Sequence, residues 1–359
     1  VDASKDEINQ MSEIVEKAIN AGALGFSTSR TILHRDVHGV YVPGTEASSE
    51  EMKELAFAVD RAGEGTLEIV SDWLDQEIEM SWMKEYVEKS DCGLTVLQTN
   101  GDSVKTILYC EEQFLKGKNV RPQFPGRNVG LMFGLESSLH PFIGHPSYKD
   151  ISHLPLNERL SIMRDPAFKQ KILNESPSFR EDLQKAAKEQ KSNKTKEEIK
   201  AEAETGKKII SNYETQFILS DPPNYEPTRE DSIAYLAEQR KQSEEEVIYD
   251  ELIKDDGKSL IYACFTPYEN HKLKFVETFY KLKSSVAGGS DGGAHCGLIC
   301  DASMPTTNLS HWARDRSAGN KIPLELIIRK QTKDTAETYG LFDRGEIKTG
   351  MIADINIID

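Results

Sequence analysis

The sequence predicts an α/β fold in which helices alternate with parallel strands. Two observations lead to this prediction. Segments with apolar residues at helical spacing recur along the first third of the chain, and short apolar runs lie between them with short connections. Such strands are typical of a parallel sheet covered by helices on both faces. The pattern up to residue 134 therefore predicts half of a barrel or half of a doubly wound sheet.

The first two helices are predicted from their ends. Each begins with a serine that is followed three residues later by a glutamate, the spacing of a capping box, and each ends at a glycine. These residues are Ser4, Glu7 and Gly22 in the first helix and Ser48, Glu51 and Gly63 in the second. In the same part of the chain, strands are predicted at 23–28, 66–70, 94–98 and 119–124, and further helices at 76–89 and 103–115.

The alternation stops at residue 135 and resumes at about residue 259. Residues 135–256 contain charged helical segments and proline-rich turns and are predicted to form a helical insertion. Within them, 181–208 consists almost entirely of Glu, Lys, Ala and Gln, which predicts a solvated helix or, alternatively, a partner-binding face. The elements predicted after the insertion are a strand at 259–264, a helix near 272–282, a strand at 285–291, a long helix from Pro323 to Gly340 and a strand at 354–359.

Composition excludes several classes of partner. A formal net charge of −16 argues against nucleic acid and anionic membranes, because both require clustered Lys and Arg. No apolar run approaches the roughly 20 residues of a membrane span. Five cysteines without a C-x-x-C pair favour reduced thiols. Because no signal peptide precedes the first predicted helix, we expect a cytoplasmic protein.

The stretch 286–311, VAGGSDGGAHCGLICDASMPTTNLSH, is the most informative for function. It places Asp291 among glycines at the end of a predicted buried strand. A carboxylate at such a strand end, with Gly292 and Gly293 allowing backbone to come close, is suited to hold a metal and a water. The alternative is an aspartate that caps a turn or a helix, which is common beside glycine.

Together with ALGFSTSR at 23–30, HWARDR at 311–316 and GEIKTGMIADINIID at 345–359, this stretch resembles the amidohydrolase superfamily. The resemblance is greatest to D-aminoacylases, also called N-acyl-D-amino-acid deacylases. It implies a metal-dependent hydrolase with a (β/α)8 TIM barrel and a small β-sandwich. Family members also carry a preceding segment with a His-x-His metal motif, and this sequence has no His-x-His pair.

The resemblance therefore implies an incomplete barrel formed by the C-terminal portion of such an enzyme. Residues 1–134 correspond to βα units of the second part of the barrel, and 135–256 to a helical insertion. Residues 257–344 correspond to the last barrel strands and helices, and 345–359 to the start of the β-sandwich. We expect an open sheet between the strands at 23–28 and 285–291. Either the insertion folds over the gap or a second copy pairs across it, and we favour a homo-oligomer or covering by neighbouring chains, because the insertion carries too much charge to fill an apolar gap.

The resemblance gives Asp291 two roles, as a catalytic residue and as a ligand of one zinc ion. A metal lowers the pKa of its bound water, and an adjacent carboxylate takes the proton and passes it to the leaving nitrogen. His295 is expected to orient Asp291 or bind substrate, with a structural histidine as the alternative. The family's histidines at the ends of two middle strands are absent, since these ends read IVSD at 69–72 and VLQTN at 96–100. Asp72 and Gln98 there either bind substrate or are polar residues at the barrel end.

Four further side chains are candidates for substrate binding or for a lid over the site. Arg30 and Arg35 have the geometry to clamp a substrate carboxylate, and ion pairing with nearby acidic residues is the alternative for each. His34 follows the strand at 23–28 and is expected on the catalytic face. His145 lies with His140 in the segment 134–148, which predicts a loop and a lid. The HWARDR segment is expected to tie its loop down through Arg–carboxylate bonds.

The sequence thus predicts a hydrolase of non-peptide C–N bonds whose substrate is an N-acylated amino acid or a related small amide. Hydrolysis of a cyclic amide or imide remains open, as does a non-catalytic, metal-free remnant. These 359 residues alone are expected to be inactive, because a catalytic zinc would lack two or more donors.

Overall fold

The computed structural model describes residues 2–34, 41–73, 75–99, 104–179, 181, 184–185, 196–266, 268–294, 297–299 and 301–358. The helices in this part of the chain are α1 (Lys5–Asn20), α2 (Ser49–Ala62), α3 (Gln76–Lys89), α4 (Val104–Leu115), α5 (Pro146–Ile151), α6 (Leu156–Met163), α7 (Pro166–Leu173), α8 (Lys196–Ile210), α9 (Ile233–Arg240), α10 (Glu244–Leu252), α11 (Lys274–Lys281), α12 (Met304–Thr307), α13 (Leu324–Gln331) and α14 (Lys333–Thr338). The strands are β1 (Gly25–Arg30), β2 (Thr66–Ser71), β3 (Gly93–Leu97), β4 (Val120–Pro125), β5 (Val129–Phe133), β6 (Gln216–Ile218), β7 (Ile261–Thr266) and β8 (Val286–Gly288).

The chain divides into two compact units. The first consists of Val1–Gly126, Phe275–Gly289 and Met304–Asp359, and the second of Arg127–Lys274 and Ser290–Ser303. The first unit therefore contains strands β1 to β4 and β8, and the second contains β5 to β7.

The first unit is built on a five-stranded parallel sheet with the order β1-β2-β3-β4-β8. It is a mixed α/β fold with a parallel sheet, as predicted. Within the described residues β1 and β8 are the two edges, so these strands form an open sheet and do not close into an eight-stranded barrel. The pairing of these edges by a second copy stays a prediction.

One face of the parallel sheet packs against helices. Leu67 and Ile69 of β2 and Leu94 and Val96 of β3 share a buried core with Trp82 and other side chains of α2 and α3. Because side chains alternate along a strand, the opposite face carries Ser29, Glu68, Thr95 and Gln123. Two helix termini lie where the sequence predicts them: Ser4 and Glu7 form the capping box at the start of α1, and Gly63 ends α2 in the left-handed conformation.

The second unit contains a three-stranded antiparallel sheet with the order β5-β7-β6, packed against α5, α6, α7, α9 and α10. The expectation that the strand at 259–264 resumes the parallel alternation is wrong, because it becomes β7 and pairs antiparallel on both sides. An apolar run predicts a buried strand but does not specify its partner or its direction. Its partner β5 was not predicted, since its five residues follow β4 closely and contain Gly130.

The end of the chain differs from the prediction in two ways. The long helix from Pro323 is divided, because Thr332 has φ −119° and ψ −85° between α13 and α14. The expected strand at 354–359 is wrong for the residues that can be assessed, since 352–358 have no regular structure and Ile355, Ile357 and Ile358 are exposed. A strand is stabilised by ladder hydrogen bonds, and no described strand pairs with this segment.

The charged segment at 181–208 is described only in part. Of the charged segment 181–208, residues 196–208 lie in α8, and 182–183 and 186–195 lie outside the described residues. None of the helices in the described ranges is long and apolar enough to cross a membrane.

Candidate functional site

The carboxyl ends of parallel strands are where α/β proteins place their ligands. In the first unit these ends are reached at Arg30 in β1, Ser71 in β2 and Leu97 in β3, followed directly by Asp72 and Gln98. These residues include three of the candidates from the sequence, which are Arg30, Asp72 and Gln98. Each of them has a different environment.

Arg30 is engaged in a structural ion pair. Its Nε lies 2.8 and 2.9 Å from the two carboxylate oxygens of Glu79, and its Nη2 lies 2.7 Å from the same carboxylate. Its Nη1 donates to the carbonyl oxygens of Gly44 and Ala47. Because these acceptors use both sides of the guanidinium, the structure favours the ion-pairing interpretation of Arg30 over the clamp for a substrate.

Asp72 and Gln98 follow neighbouring strands but differ in their hydrogen bonds. The Asp72 carboxylate accepts from the backbone N–H of Ile32 at 2.8 Å and so holds the turn after β1. Gln98 is fully buried, and neither its amide oxygen nor its amide nitrogen has a hydrogen-bond partner among the described residues. By alternation it belongs to the face of Leu94 and Val96. One oxygen of Asp72 thus makes a structural contact, whereas the amide of Gln98 is an unused hydrogen-bonding group among the described residues.

His34 contacts the end of β1. Its Nδ1 lies 2.7 Å from the hydroxyl oxygen of Ser29, and both residues are half-buried. The sequence identified His34 as a candidate, but the separation of five residues did not show that it would meet Ser29. Arg35, the second arginine expected here, lies outside the described residues.

Asp291 lies in a loop of the second unit. Strand β8 ends at Gly288, earlier than predicted, because Gly289 has φ +78° and leaves the extended conformation. Asp291 follows with φ +42°, is exposed, and accepts a backbone hydrogen bond from Ala294 at 2.9 Å. Its carboxylate is thus accessible to water. His295, Cys296 and Cys300 lie outside the described residues.

The loop that carries Asp291 is fastened to β5 and to the segment after it. The backbone N–H groups of Met132 and Ser138 donate to the carbonyl oxygens of Leu298 and Gly297, both at 2.7 Å. Further along the loop, the Asp301 carboxylate lies 2.9 Å from Nη1 of Arg127. These contacts hold Gly297, Leu298 and Asp301, and Asp291 lies earlier in the same loop.

The Arg127–Asp301 pair is buried. The two side chains are 0% and 5% exposed, and the Arg127 guanidinium stacks 4.1 Å from the ring centre of Tyr225. The sequence analysis missed this pair. A signal was available, since Arg127 and Asn128 interrupt the otherwise apolar segment FPGRNVGLMF at 124–133, and a charge in such a segment requires a buried partner.

His145 and His140 belong to the second unit, in a loop before α5, as predicted. His145 is the N-cap residue of α5, and its Nδ1 has no hydrogen-bond partner among the described residues. Burial lowers its pKa against the opposing effect of Glu175. His140 is 1% exposed, packs 4.5 Å from the ring centre of Tyr148, and has its pKa lowered to about 3 by burial. His140 is therefore part of the core, and the lid stays a prediction.

The HWARDR segment ties its surroundings down as expected. It lies in a π-helix, Asn308–Asp315, followed by Arg316, whose guanidinium lies 3.3 Å from the Glu277 carboxylate and 4.3 Å from the ring centre of Trp312. The Trp312 indole N–H donates to the carbonyl oxygen of Gly126 at 2.6 Å. The role of this segment is structural.

The described candidates are distributed over both units. Arg30, His34 and Gln98 belong to the first, and His145 and Asp291 to the second. Within the described ranges, no group of three or more His, Cys, Asp or Glu side chains is arranged to hold a metal ion. The described residues therefore do not fit a zinc site, because a catalytic zinc requires three protein ligands.

Comparison with known proteins gives one family. The model of the amidohydrolase family matches residues 274–359, which include α11, β8, Asp291 and the HWARDR segment. This match supports the amidohydrolase superfamily and a hydrolase activity, and the parallel sheet is consistent with the α/β fold of such enzymes. No curated protein and no solved structure gives a significant match to the chain.

Proposed function

We propose that this protein is a hydrolase of non-peptide C–N bonds, of the N-acyl-D-amino-acid deacylase type, in which Asp291 is the catalytic carboxylate. The observation that carries the proposal is the family match, because it covers Asp291 and the strand that precedes it. The exposure of Asp291 supports the proposal, since a proton-transfer group has to reach water.

Hydrolysis of an amide requires a new C–O bond from water, cleavage of the C–N bond and a proton for the leaving nitrogen. A carboxylate beside the reacting carbon is suited to take the proton from the water and to return it to the nitrogen. Gly292 and Gly293 leave space around Asp291, and the nearest atom to a side chain at Gly292 would be Ala302 Cβ at 3.8 Å. Because the described residues do not fit a zinc site, no step is assigned to a metal.

An N-acylated amino acid or a related small amide is the proposed substrate. His34, Gln98 and His145, together with Arg35 and His295, remain the proposed binding residues. Gln98 has the strongest support among them, because a ligand would satisfy its unpartnered amide. Because the chain has a net charge of −16, binding of a substrate carboxylate requires a cationic side chain. Glu79 neutralises Arg30, so Arg35 is the residue proposed to bind this carboxylate.

A second candidate is hydrolysis of a cyclic amide or imide. It is favoured by the ends of β2 and β3, where Asp72 and Gln98 stand in place of the histidines that the resemblance to deacylases leads one to expect. A change of polar groups at these positions alters which substrate atoms the site can bind. Hydrolysis assays on N-acylated amino acids and on cyclic imides distinguish the two candidates.

The test measures hydrolysis of N-acetyl-D-amino acids, their L-enantiomers and cyclic imides, with zinc content determined by elemental analysis. We expect an intact relative that carries the His-x-His segment to prefer the D-enantiomers and these 359 residues alone to show little turnover. Replacing the aspartate of the relative that aligns with Asp291 by Asn should lower turnover by about 100-fold or more. The matched control is the same change at the residue of the relative that aligns with Asp343, an exposed aspartate within the region of the family match.

Three results would contradict the proposal. Undiminished turnover after the change at Asp291 would remove its catalytic role. Preference for cyclic imides would favour the second candidate. Absence of both zinc and turnover in the intact relative would favour a non-catalytic protein.

A further inference from the structure

Ser29 and His34 form a hydroxyl–imidazole pair at the carboxyl end of β1. The Ser29 oxygen lies 2.7 Å from Nδ1 of His34, within the distance at which a base can take the proton of a nucleophile. Among the described strands β1 is an edge of the parallel sheet, and both side chains are half-buried. The pair is therefore partly shielded from water and still within reach of a small reagent.

The turn that brings His34 back to Ser29 is held by several hydrogen bonds. The N–H of Ile32 donates to the Asp72 carboxylate at 2.8 Å, and the N–H of Leu33 donates to the Thr31 hydroxyl at 3.2 Å. The carbonyl oxygen of His34 accepts from the N–H of Val42 at 3.3 Å. Because these bonds fix the backbone on both sides of the imidazole, the 2.7 Å contact is preorganised.

The charge next to the pair is neutralised. Arg30 follows Ser29 directly, and a free guanidinium there would disfavour protonation of His34. Its bidentate pair with Glu79 directs that charge to the helix-facing side of the sheet, whereas Ser29 lies on the opposite face. We assign the neutral tautomer in which Nδ1 accepts the Ser29 proton, because a hydroxyl has a proton to donate and Nδ1 can then accept it.

We propose that Ser29 is a nucleophile activated by His34, and that this pair takes acyl groups from small activated esters. The proposal is independent of the amide hydrolysis proposed above. In the first step the Ser29 oxygen forms a bond to the acyl carbon, its proton moves to Nδ1 of His34, and the C–O bond to the leaving alcohol breaks. The alcohol leaves with the proton from His34. Water then cleaves the acyl-serine in the same way and releases the acid.

The experiment uses a small fluorophosphonate, which reacts with an activated serine by forming a P–O bond and releasing fluoride. The full chain is incubated with the reagent in the presence of a chelator, and the modified residue is located by mass spectrometry. We expect the adduct on Ser29. Ser29→Ala should abolish it, whereas Ser27→Ala should leave the rate unchanged, because Ser27 lies on the same face two residues earlier and its hydroxyl makes no hydrogen bond with the described residues.

The second variant tests the base. His34→Asn keeps a polar group near the position of Nδ1 but cannot take a proton, so labelling of Ser29 should slow by about 100-fold or more. Thermal unfolding of each variant shows whether the fold is retained. Labelling that is absent in the unmodified protein, persists in Ser29→Ala or proceeds equally fast in His34→Asn would overturn the proposal. None of these results depends on zinc or on amide turnover, so failure here leaves the role of Asp291 untouched.

Discussion

The side-chain amide of Gln123 in β4 donates to the carboxylate of Glu68 in β2 at 2.9 Å, across the intervening strand β3. The hydroxyl group of Tyr339 lies 3.4 Å from the Gln123 nitrogen and 3.5 Å from Glu68. Burial and the nearby Glu68 raise the pKa of Tyr339 to about 12, so its phenol stays protonated and donates. A closed (β/α)8 barrel fills this face with layers of apolar side chains. Here a polar network links β2 and β4 to the segment after α14.

The contrast between Gln123 and Gln98 leads to the first prediction. Gln98→Met replaces an amide that has no described partner by an apolar group of similar shape, so the free energy of unfolding should rise by about 1 kcal/mol. Gln123→Met removes a hydrogen bond to a carboxylate and should lower it by about 1.5–3 kcal/mol. Urea denaturation of the two variants measures both changes.

The two changes in unfolding free energy should have opposite signs although both variants replace Gln by Met, and this difference is the test. A loss of stability in Gln98→Met would show that its amide has a partner in solution, such as an ordered water. If Gln98 binds substrate, the stabilised variant should at the same time lose affinity for it, as is common when a functional residue is replaced.

These residues also show what the sequence could predict. Local signals were sufficient for the helices of the first unit: α3 was predicted with the bounds that the structure has, and α1 with its capping box. The environments of Asp72 and Gln98 could not be predicted, because each depends on a group far away in the chain. The N–H of Ile32 is available to Asp72, and nothing comparable is available to Gln98 among the described residues.

Non-local pairing explains the errors in the second unit and at the end of the chain. The apolar run that becomes β7 looks like a strand of a parallel sheet, but its partners lie about 130 and 45 residues earlier in β5 and β6. The Ile-rich segment at 354–359 alternates like a strand, yet the part of it that is described pairs with no strand of the described chain. Alternation therefore predicts the capacity to form a strand, while the partner decides whether one forms.

The second prediction concerns the buried Arg127–Asp301 pair. Arg127→Met leaves the Asp301 carboxylate without its cation in a buried site and should lower the free energy of unfolding by about 3–5 kcal/mol. Arg127→Met with Asp301→Leu should cost less than the sum of the single changes, because the second change removes the uncompensated charge. Chemical denaturation of the single and double variants measures the coupling.

The control for this pair is Arg314→Met. Arg314 pairs with Asp315 at 2.7 Å, but the two side chains are 72% and 52% exposed, so this change should cost far less stability than Arg127→Met. Equal losses in the buried and exposed pairs would show that burial is not the cause. Strict additivity of the two changes at Arg127 and Asp301 would show that the pair is not coupled.

The third prediction uses the close approach of Gly130 to a ring. A Cβ atom at Gly130 would lie 1.7 Å from Cε2 of Tyr262, a ring that is 1% exposed and whose hydroxyl donates to the Asn128 side chain at 2.6 Å. The ring cannot move without breaking this bond. Gly130→Ala should therefore lower the melting temperature, with a loss of about 2–3 kcal/mol.

Gly292→Ala is the matched control for Gly130→Ala, because its nearest neighbour would be at an ordinary contact distance of 3.8 Å. This change should alter stability by less than about 0.5 kcal/mol. A Gly130→Ala variant as stable as Gly292→Ala would mean that Tyr262 is not packed across β5.

The last prediction is a dependence of stability on pH that arises from His140. Burial lowers its pKa to about 3, with Arg159 as a second cause, whereas in the unfolded chain the imidazole has its ordinary pKa near 6.5. Between these values the unfolded chain binds a proton that the folded protein does not, so stability falls as the pH is lowered through this window. The loss from this group between pH 7 and pH 5 should be about 2 kcal/mol.

His140→Phe should remove this contribution to the dependence of the unfolding free energy on pH. His153→Gln, which removes an exposed imidazole, is the control. The free energy of unfolding is measured by urea denaturation at pH 7, 6 and 5 for the three proteins. Carboxylates contribute equally to all three curves, so the difference between the unmodified protein and His140→Phe isolates the histidine. Parallel curves for these two proteins would show that His140 is protonated with the same pKa in the folded and unfolded states.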